Sequence, residues 1–318
     1  MRVLITGGAG FIGSHLVDHY LAIGADVVIA DNLITGRRDN IAAHQDDPRC
    51  RFLERDICGL DRLDGGLDLI MDFASPASPF DYLKYPIETM RTASIGTMSM
   101  LELARATGAR ILLASTSEVY GDPVVHPQTE DYWGNVNPIG PRSVYDEGKR
   151  FAEAITSAYH RQFNLKTRIV RIFNTYGERM RAGDGRVIPA LITQALRGES
   201  MTIFGDGTQT RSFCYISDMV QGLVRLADTD YTEPVNIGNP GEFTIGQLAE
   251  TIKRLTNSAS PFVYRPLPQD DPRQRKPDIS RARKLLGWTP EVDLETGLGK
   301  VIAWFAAHPE PGAALDKE

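Results

Sequence analysis

RVLITGGAGFIGSHLVDHYLAIGADVVIAD, residues 2–31, is the stretch whose reading decides the fold. It opens on the apolar run Val3-Leu4-Ile5 and passes directly into Thr6-Gly7-Gly8-Ala9-Gly10-Phe11-Ile12-Gly13. Helical spacing follows over 11–23, then a second apolar run closed by Asp31. Strand, glycine turn, helix and strand in that order is the context in which such glycines form a dinucleotide-binding loop. They serve the tight turn, the close backbone approach to a pyrophosphate and the packing of helix on strand, while the helix N-terminus offers N–H groups to the phosphates. A side chain at Gly10 is therefore expected to obstruct the cofactor. Asp31, 18 positions after Gly13, stands where a carboxylate accepts ribose hydroxyls and repels a 2′-phosphate, which favours NAD. Arg37 and Arg38 close by are the kind of residue that accommodates NADP, the second choice.

Outward from this unit, strand-like runs at 51–55, 68–74, 109–115 and 167–173 alternate with helical patterns at 86–107 and 143–163. That alternation predicts an α/β protein with a doubly wound parallel Rossmann sheet. Beyond residue 174 glycine and proline become frequent, and helices are expected at 187–197, 244–256 and 294–307. Thr244-Ile245-Gly246-Gln247 has capping-box form at the start of the second of these. The expected organisation is a dinucleotide-binding domain over 1–174, with a later return segment near 212–238, and a smaller mixed substrate-binding subdomain over 175–318. RPLPQDDPRQRKPD at 265–278 reads either as an exposed linker or as a loop reaching back over an anionic ligand.

Composition narrows the class. A net charge of −6 gives no reason to expect nucleic acid or an anionic membrane as partner, so an anionic ligand must be held by local cations. Cys50, Cys58 and Cys214 are too few for a disulfide framework and show no CxxC spacing, so neither metal nor thiol redox chemistry is expected. With no signal-peptide pattern and no 18-residue apolar span, the expectation is a soluble cytoplasmic protein.

Tyr145 and Lys149 lie four apart in SVYDEGKRFAEA, which places both on one helix face about a turn apart. A free tyrosine titrates near pH 10; a neighbouring ammonium and a cationic nicotinamide stabilise the phenolate and make it a usable base. Leu112-Leu113-Ala114-Ser115-Thr116-Ser117-Glu118 delivers hydroxyls and a carboxylate at the C-terminal end of a predicted buried strand, the edge that faces ligand in open α/β sheets.

These residues, together with ASPASP (74–79), LLASTSEVYGDP (112–123), EDYWGNVNPIGPRSVYDEGKR (130–150), RIFNTYG (171–177), DGRV (184–187), GTQTRSFCYISD (207–218) and DDPRQRKPDI (270–279), resemble the extended short-chain dehydrogenase/reductase family. Within its NAD-dependent epimerase/dehydratase group, the likeness is to the UDP-glucuronate decarboxylases, over essentially the whole chain. The resemblance implies that Asp31, Asn32, Thr35 and Gly36 hold the adenosine side, Asp56 and Ile57 the adenine, and Thr116, Tyr145 and Lys149 the reaction centre. Asn174, Arg186, Arg211 and Arg275 would address the nucleotide-sugar. It also implies a homodimer formed by the helices at 86–107 and 143–163, through apolar residues such as Ile95, Met98, Leu101, Phe151, Ile155 and Tyr159. Two positions depart from the family pattern. Ala93 stands where asparagine is usual, and Asp72 where histidine is common.

The same resemblance separates the reactions. Related 4,6-dehydratases carry Thr-Asp-Glu where this chain has Thr116-Ser117-Glu118. An aspartate there would oppose a sugar carboxylate at roughly 4 Å, costing about 4 kcal/mol at an effective dielectric of ~20; Ser117 removes that repulsion. Arg275 supplies a planar cationic fork for the carboxylate, and Glu118 is expected to order water or proton delivery near carbon 5. The expected activity is decarboxylation of UDP-glucuronate to UDP-xylose. A 4,6-dehydratase or 4-epimerase is the alternative, and a non-catalytic dinucleotide sensor, with no use for Tyr145, Lys149 and Thr116 together, comes last.

Overall fold

The computed structural model describes residues 1–267 and 274–309 of the 318-residue chain. Its first elements are β1 (Arg2–Thr6), α1 (Phe11–Ala22) and β2 (Asp26–Asp31), as the opening stretch requires. They are followed by β3 (Cys50–Glu54), β4 (Leu69–Asp72), α2 (Pro79–Lys84), α3 (Pro86–Arg91), α4 (Thr97–Thr107), β5 (Arg110–Thr116), α5 (Ser143–Phe163) and β6 (Thr167–Ile172). A strand at Pro234–Ile237 completes a seven-stranded sheet in the order Pro234–Ile237, β6, β5, β4, β1, β2, β3, every neighbouring pair parallel. The winding direction reverses between β1 and β4, which opens a crevice at the carboxyl ends of those strands.

Both faces of the sheet are covered, which is why its strands read as unbroken apolar runs. Residues alternate between two cores. Val3, Ile5, Val27, Ile29 and Met71 pack with α1 and with the helix Ile216–Ala227, whereas Leu4, Val28, Ile70 and Ile111 pack with Met100, Leu101 and Ala104 of α4.

The expected single helix over 86–107 is instead α3, a widened π turn at Thr92–Gly96, and α4. Close packing accounts for the difference. A Cβ on Gly96 would stand 2.7 Å from Ile57 Cδ1, and a Cβ on Gly148 of α5 would stand 3.1 Å from Ala93 Cβ. Such widened turns concentrate at functional sites.

Helices Val187–Arg197, Ile245–Leu255 and Leu294–Ala307 share a separate core through Leu191, Ile192, Leu248, Ile252, Leu298 and Val301. The capping box forms: Thr244 Oγ1 accepts from Gln247 N at 3.0 Å and Gln247 Oε1 from Thr244 N at 2.9 Å. Phe262–Arg265, which leads into 265–278, pairs with Met201–Phe204, and Gln274–Arg275 within it runs parallel to Thr210–Ser212 with Arg275 beside Arg211. Gln128 then clamps the chain, its N–H donating to Lys276 O and its carbonyl accepting from Asp278 N, both at 2.9 Å. The end of this stretch, residues 274–278, is thus anchored to the body of the protein beside the site; residues 268–273 lie outside the described residues.

Candidate active site

A cavity of about 880 Å³ runs along the carboxyl ends of the strands and separates the sheet from the second core. At one end stands the glycine loop. Gly7 has φ +66°, and a Cβ there would lie 2.8 Å from Phe73 O; at Gly13 it would lie 2.1 Å from Gly7 O, and at Gly10 3.0 Å from the same oxygen. Gly7 therefore makes the turn, Gly13 the helix–strand contact, and Gly10 leaves the cavity side open. The first-turn N–H groups of a helix lack intrahelical partners. Here they belong to Phe11, Ile12 and Gly13, which line the cavity.

Asp31 closes this end. Its carboxylate accepts from Ala9 N at 3.0 Å and Leu33 N at 2.8 Å; burial pushes its pKa up and these two amides oppose that. Gly36 does not line the cavity but backs Asp31, where a Cβ would come within 2.7 Å of Oδ1. Asn32 Nδ2 donates to Asp56 Oδ2 at 3.2 Å, and Thr35, Asp56 and Ile57 complete the wall. Arg38 pairs with Glu54 over the Phe52 ring and Arg37 with Asp39 at 3.6 Å; neither lines the cavity. This end fits a dinucleotide with free ribose hydroxyls.

At the centre, α5 carries Tyr145 and Lys149, both buried. Lys149 Nζ donates to Ala114 O at 2.8 Å and lies 5.9 Å from the centre of the Tyr145 ring. Burial lowers its pKa to about 8, against the pull of Asp72 and Glu153. Burial raises the Tyr145 pKa; the strongest pull back toward the phenolate is the hydrogen bond with Thr116, not the ammonium that the spacing suggested. Tyr82 of α2 stacks on Tyr145 with ring centres 5.1 Å apart and planes 5° apart.

Beyond Thr116 and Ser117, Glu118 sits between two guanidinium groups: Arg142 Nη2 donates to its Oε2 at 2.8 Å and Arg275 Nη1 to its Oε1. Burial alone would raise its pKa, but Arg275 and Arg142 together hold it well below the usual carboxylate range. Between these two cations Glu118 is held toward its carboxylate form, which accepts hydrogen bonds from water or from donor side chains. The protonatable carboxyl in the cluster is Asp146, raised to about 7 by burial and by Glu118. Its Oδ1, like Arg275 Nε, is buried without a hydrogen-bond partner.

Arg211 lines the cavity beside Arg275 and donates to Thr210 O at 2.8 Å. Arg186 is steered by Asp184, which accepts from its Nε at 2.8 Å, and lies 5.7 Å over the Phe11 ring. Asn174 completes this wall. Of the predicted site residues, all but Gly36 line one cavity.

Sequence reading missed Arg142, Tyr82, Asp146, and Asp81, whose carboxylate pairs with Arg181 and accepts from Ser78 Oγ at 2.7 Å. Arg142 could have been found, since it caps the start of α5 three positions before Tyr145. Tyr82 and Asp81 carry no local signal. Among the described residues no group of three His, Cys, Asp or Glu is placed to hold a metal, and no helix is long and apolar enough to cross a membrane.

Residues 3–238 match the NAD dependent epimerase/dehydratase family. UDP-glucuronic acid decarboxylase 6 of Arabidopsis thaliana is 56% identical over 299 residues, 94% of this chain and 87% of that protein. Among solved structures, UDP-glucose 4-epimerase from Thermotoga maritima superposes with a TM-score of 0.90 at 30% identity, covering 98% of this chain and all of that one. UDP-glucuronic acid 4-epimerase from Bacillus cereus, in complex with UDP-glucuronic acid and NAD, does so with a TM-score of 0.88 at 29% identity, covering 96% and 99%.

Proposed function

Because the chain belongs to the NAD-dependent epimerase/dehydratase family, we propose that it is a UDP-glucuronate decarboxylase, a carboxy-lyase forming UDP-xylose with NAD recycled inside each turnover. The observation that carries this reading over a 4-epimerase or 4,6-dehydratase is the cluster of partly buried Glu118 with buried Arg142 and Arg275 beside Ser117. It offers cationic hydrogen-bond donors for a sugar carboxylate, and no acid at position 117 to protonate a leaving hydroxyl at carbon 6.

The glycine loop and Asp31 would hold NAD, which would supply the hydride acceptor at carbon 4 and the donor for its return. The chain's own residues manage the protons and charge. Tyr145, held by Thr116 and Tyr82, takes the proton of the carbon-4 hydroxyl. The sugar is then a β-keto acid, and loss of CO₂ leaves an enolate whose oxygen is stabilised by hydrogen bonds from Thr116 and the newly protonated Tyr145. Arg275, fixed by Glu118 and Gly121 O, orients the departing carboxylate. Carbon 5 takes up a proton from solvent water, the one proton that the net reaction consumes, the hydride returned to carbon 4 reduces the carbonyl, and Tyr145 gives its proton back to the carbon-4 oxygen. Arg186, Arg211 and Asn174 hold the nucleotide diphosphate.

Incubation with UDP-glucuronate and NAD tests this: loss of CO₂ to a UDP-pentose supports it. An unchanged mass with inverted carbon 4 would identify an epimerase, and water loss from dTDP-glucose a dehydratase.

We also propose a cytoplasmic homodimer, the location resting on three free cysteines in a chain of this composition. Ile87, Met90, Ile95 and Met98 on α3 through α4, with Phe151 on α5, form an exposed apolar face. Leu101 is buried in its own core and does not reach this face, whereas Ile155 and Tyr159 are partly buried against that core and keep part of their surface exposed. Light scattering of the parent against Ile95→Glu tests the pairing.

A further inference from the structure

Arg275 is gripped by one short turn. Its Nη1 donates to Glu118 Oε1 and its Nη2 to Gly121 O at 3.3 Å, both on the 3₁₀ turn Ser117–Tyr120 and the glycine that ends it. The backbone of the Arg275 segment is held against that turn by a buried amide on a different strand, Asn236 of Pro234–Ile237. Its Nδ2 donates to Gln128 O at 3.0 Å and to Asp278 O at 3.1 Å, and its Oδ1 accepts from the Tyr120 hydroxyl at 2.8 Å.

The direction of these bonds is fixed by their partners. Carbonyls can only accept, so both Nδ2 hydrogens of Asn236 face them. The Tyr120 hydroxyl accepts from Arg171 Nη1 at 3.0 Å, which leaves its one hydrogen for Asn236 Oδ1. Arg171 is seated in turn on Glu153 of α5, donating from Nε at 2.9 Å and from Nη2 at 2.8 Å. An unbroken chain therefore runs from the helix that carries Tyr145, through the turn that carries Glu118, to the segment that carries Arg275. Gln128 closes it, its Oε1 accepting from Lys276 N at 2.8 Å. Asn236, Gln128 and Tyr120 are fully buried and none of them lines the cavity, so they act on a ligand only through what they hold. A buried network satisfied in this way is rigid.

We propose that Asn236 is a positioning residue for Arg275, setting its guanidinium fork at a fixed place relative to Tyr145. Its meaning for the sugar carboxylate rests on the role proposed above for Arg275; the seating of the segment does not.

Asn236→Asp keeps the shape and the acceptor for Tyr120 but turns an oxygen toward the two carbonyls. Tyr120→Phe removes only the hydroxyl link and leaves Arg171 Nη1 its bond to Glu130 O. Hydrogen exchange of peptides covering 274–278 should accelerate about tenfold in Asn236→Asp and by less in Tyr120→Phe, with the glycine loop unchanged. With NADH bound, so that no turnover occurs, calorimetry should show the preference for UDP-glucuronate over UDP falling about tenfold in Asn236→Asp, and in the same direction by less in Tyr120→Phe. On an Arg275→Lys background Asn236→Asp should cost less than about twofold, because the fork it positions is already gone. Unchanged exchange at 274–278 in both variants overturns the inference. Faster exchange with an unchanged preference, or an equal loss of preference with and without Arg275→Lys, overturns it too, since Asn236 would then be structural or act by another route. A parent protein that does not decarboxylate UDP-glucuronate overturns the proposed function and leaves the exchange and binding results standing.

Discussion

The two ends of the cleft are built from different materials. The cofactor end is made of backbone: Gly7, Gly10 and Gly13 lie within one turn and one helix start, and their contacts are to carbonyls only a few residues away or on the adjoining strand. The carboxylate-binding end is made of charged side chains brought from separate segments, Glu118 and Arg275 meeting across 157 positions of chain. Backbone sites are set by local conformation, and a side chain added there is a steric insult. Charge clusters are set by the whole fold, and a change there alters fields and proton affinities.

The largest expected effect lies at the centre, where both ends converge. Tyr145→Phe should lower kcat by about a thousandfold with little change in binding of either ligand, within the range for loss of a general base; full turnover would remove the mechanism. Arg275→Lys keeps the charge but loses the planar fork, and kcat/KM for UDP-glucuronate should fall about a hundredfold while NAD affinity, read by calorimetry, stays unchanged. If NAD affinity falls with it, the two ends are not separable in this way.

Gly13→Ala is the reciprocal change. Its Cβ would sit 2.1 Å from Gly7 O, and overpacking of this kind costs about 1–3 kcal/mol. Thermal unfolding should show that loss, together with weaker NAD binding and an unaltered response to UDP. Smallest is Asp146→Asn. The folded pKa of Asp146, about 7, is raised above the ordinary value of ~3.9, so its stability contribution is intact below about pH 4 and is lost as pH rises to about 7. The asparagine variant should therefore match the parent near pH 4 and exceed it in stability at pH 8, read as the difference in unfolding midpoint between the two pH values; a constant difference across pH would refute the assignment.

The same contrast explains what could be read from the sequence. The first strand–turn–helix–strand unit is legible because each residue answers to a neighbour: alternating apolar residues to the two cores, glycines to a turn and a helix contact. Tyr145 and Lys149 are legible from helical spacing alone. The charge state of Glu118 was not, because it depends on Arg142, a turn before Tyr145, and on Arg275, carried by a short strand that only tertiary pairing defines. The break in the helix at 92–96 was hidden for a similar reason, since it answers to Ile57 and α5. Tyr82 under Tyr145 has no counterpart in any periodicity.

The parallel pairing that sets Arg275 beside Arg211 has one more consequence. Directly opposed residues of paired strands project to the same face, so two guanidinium groups share one edge of the cleft. An anion that reaches this edge meets two guanidinium groups at once. A nucleotide diphosphate would then act as a keystone, a guest whose charge completes the masonry that receives it.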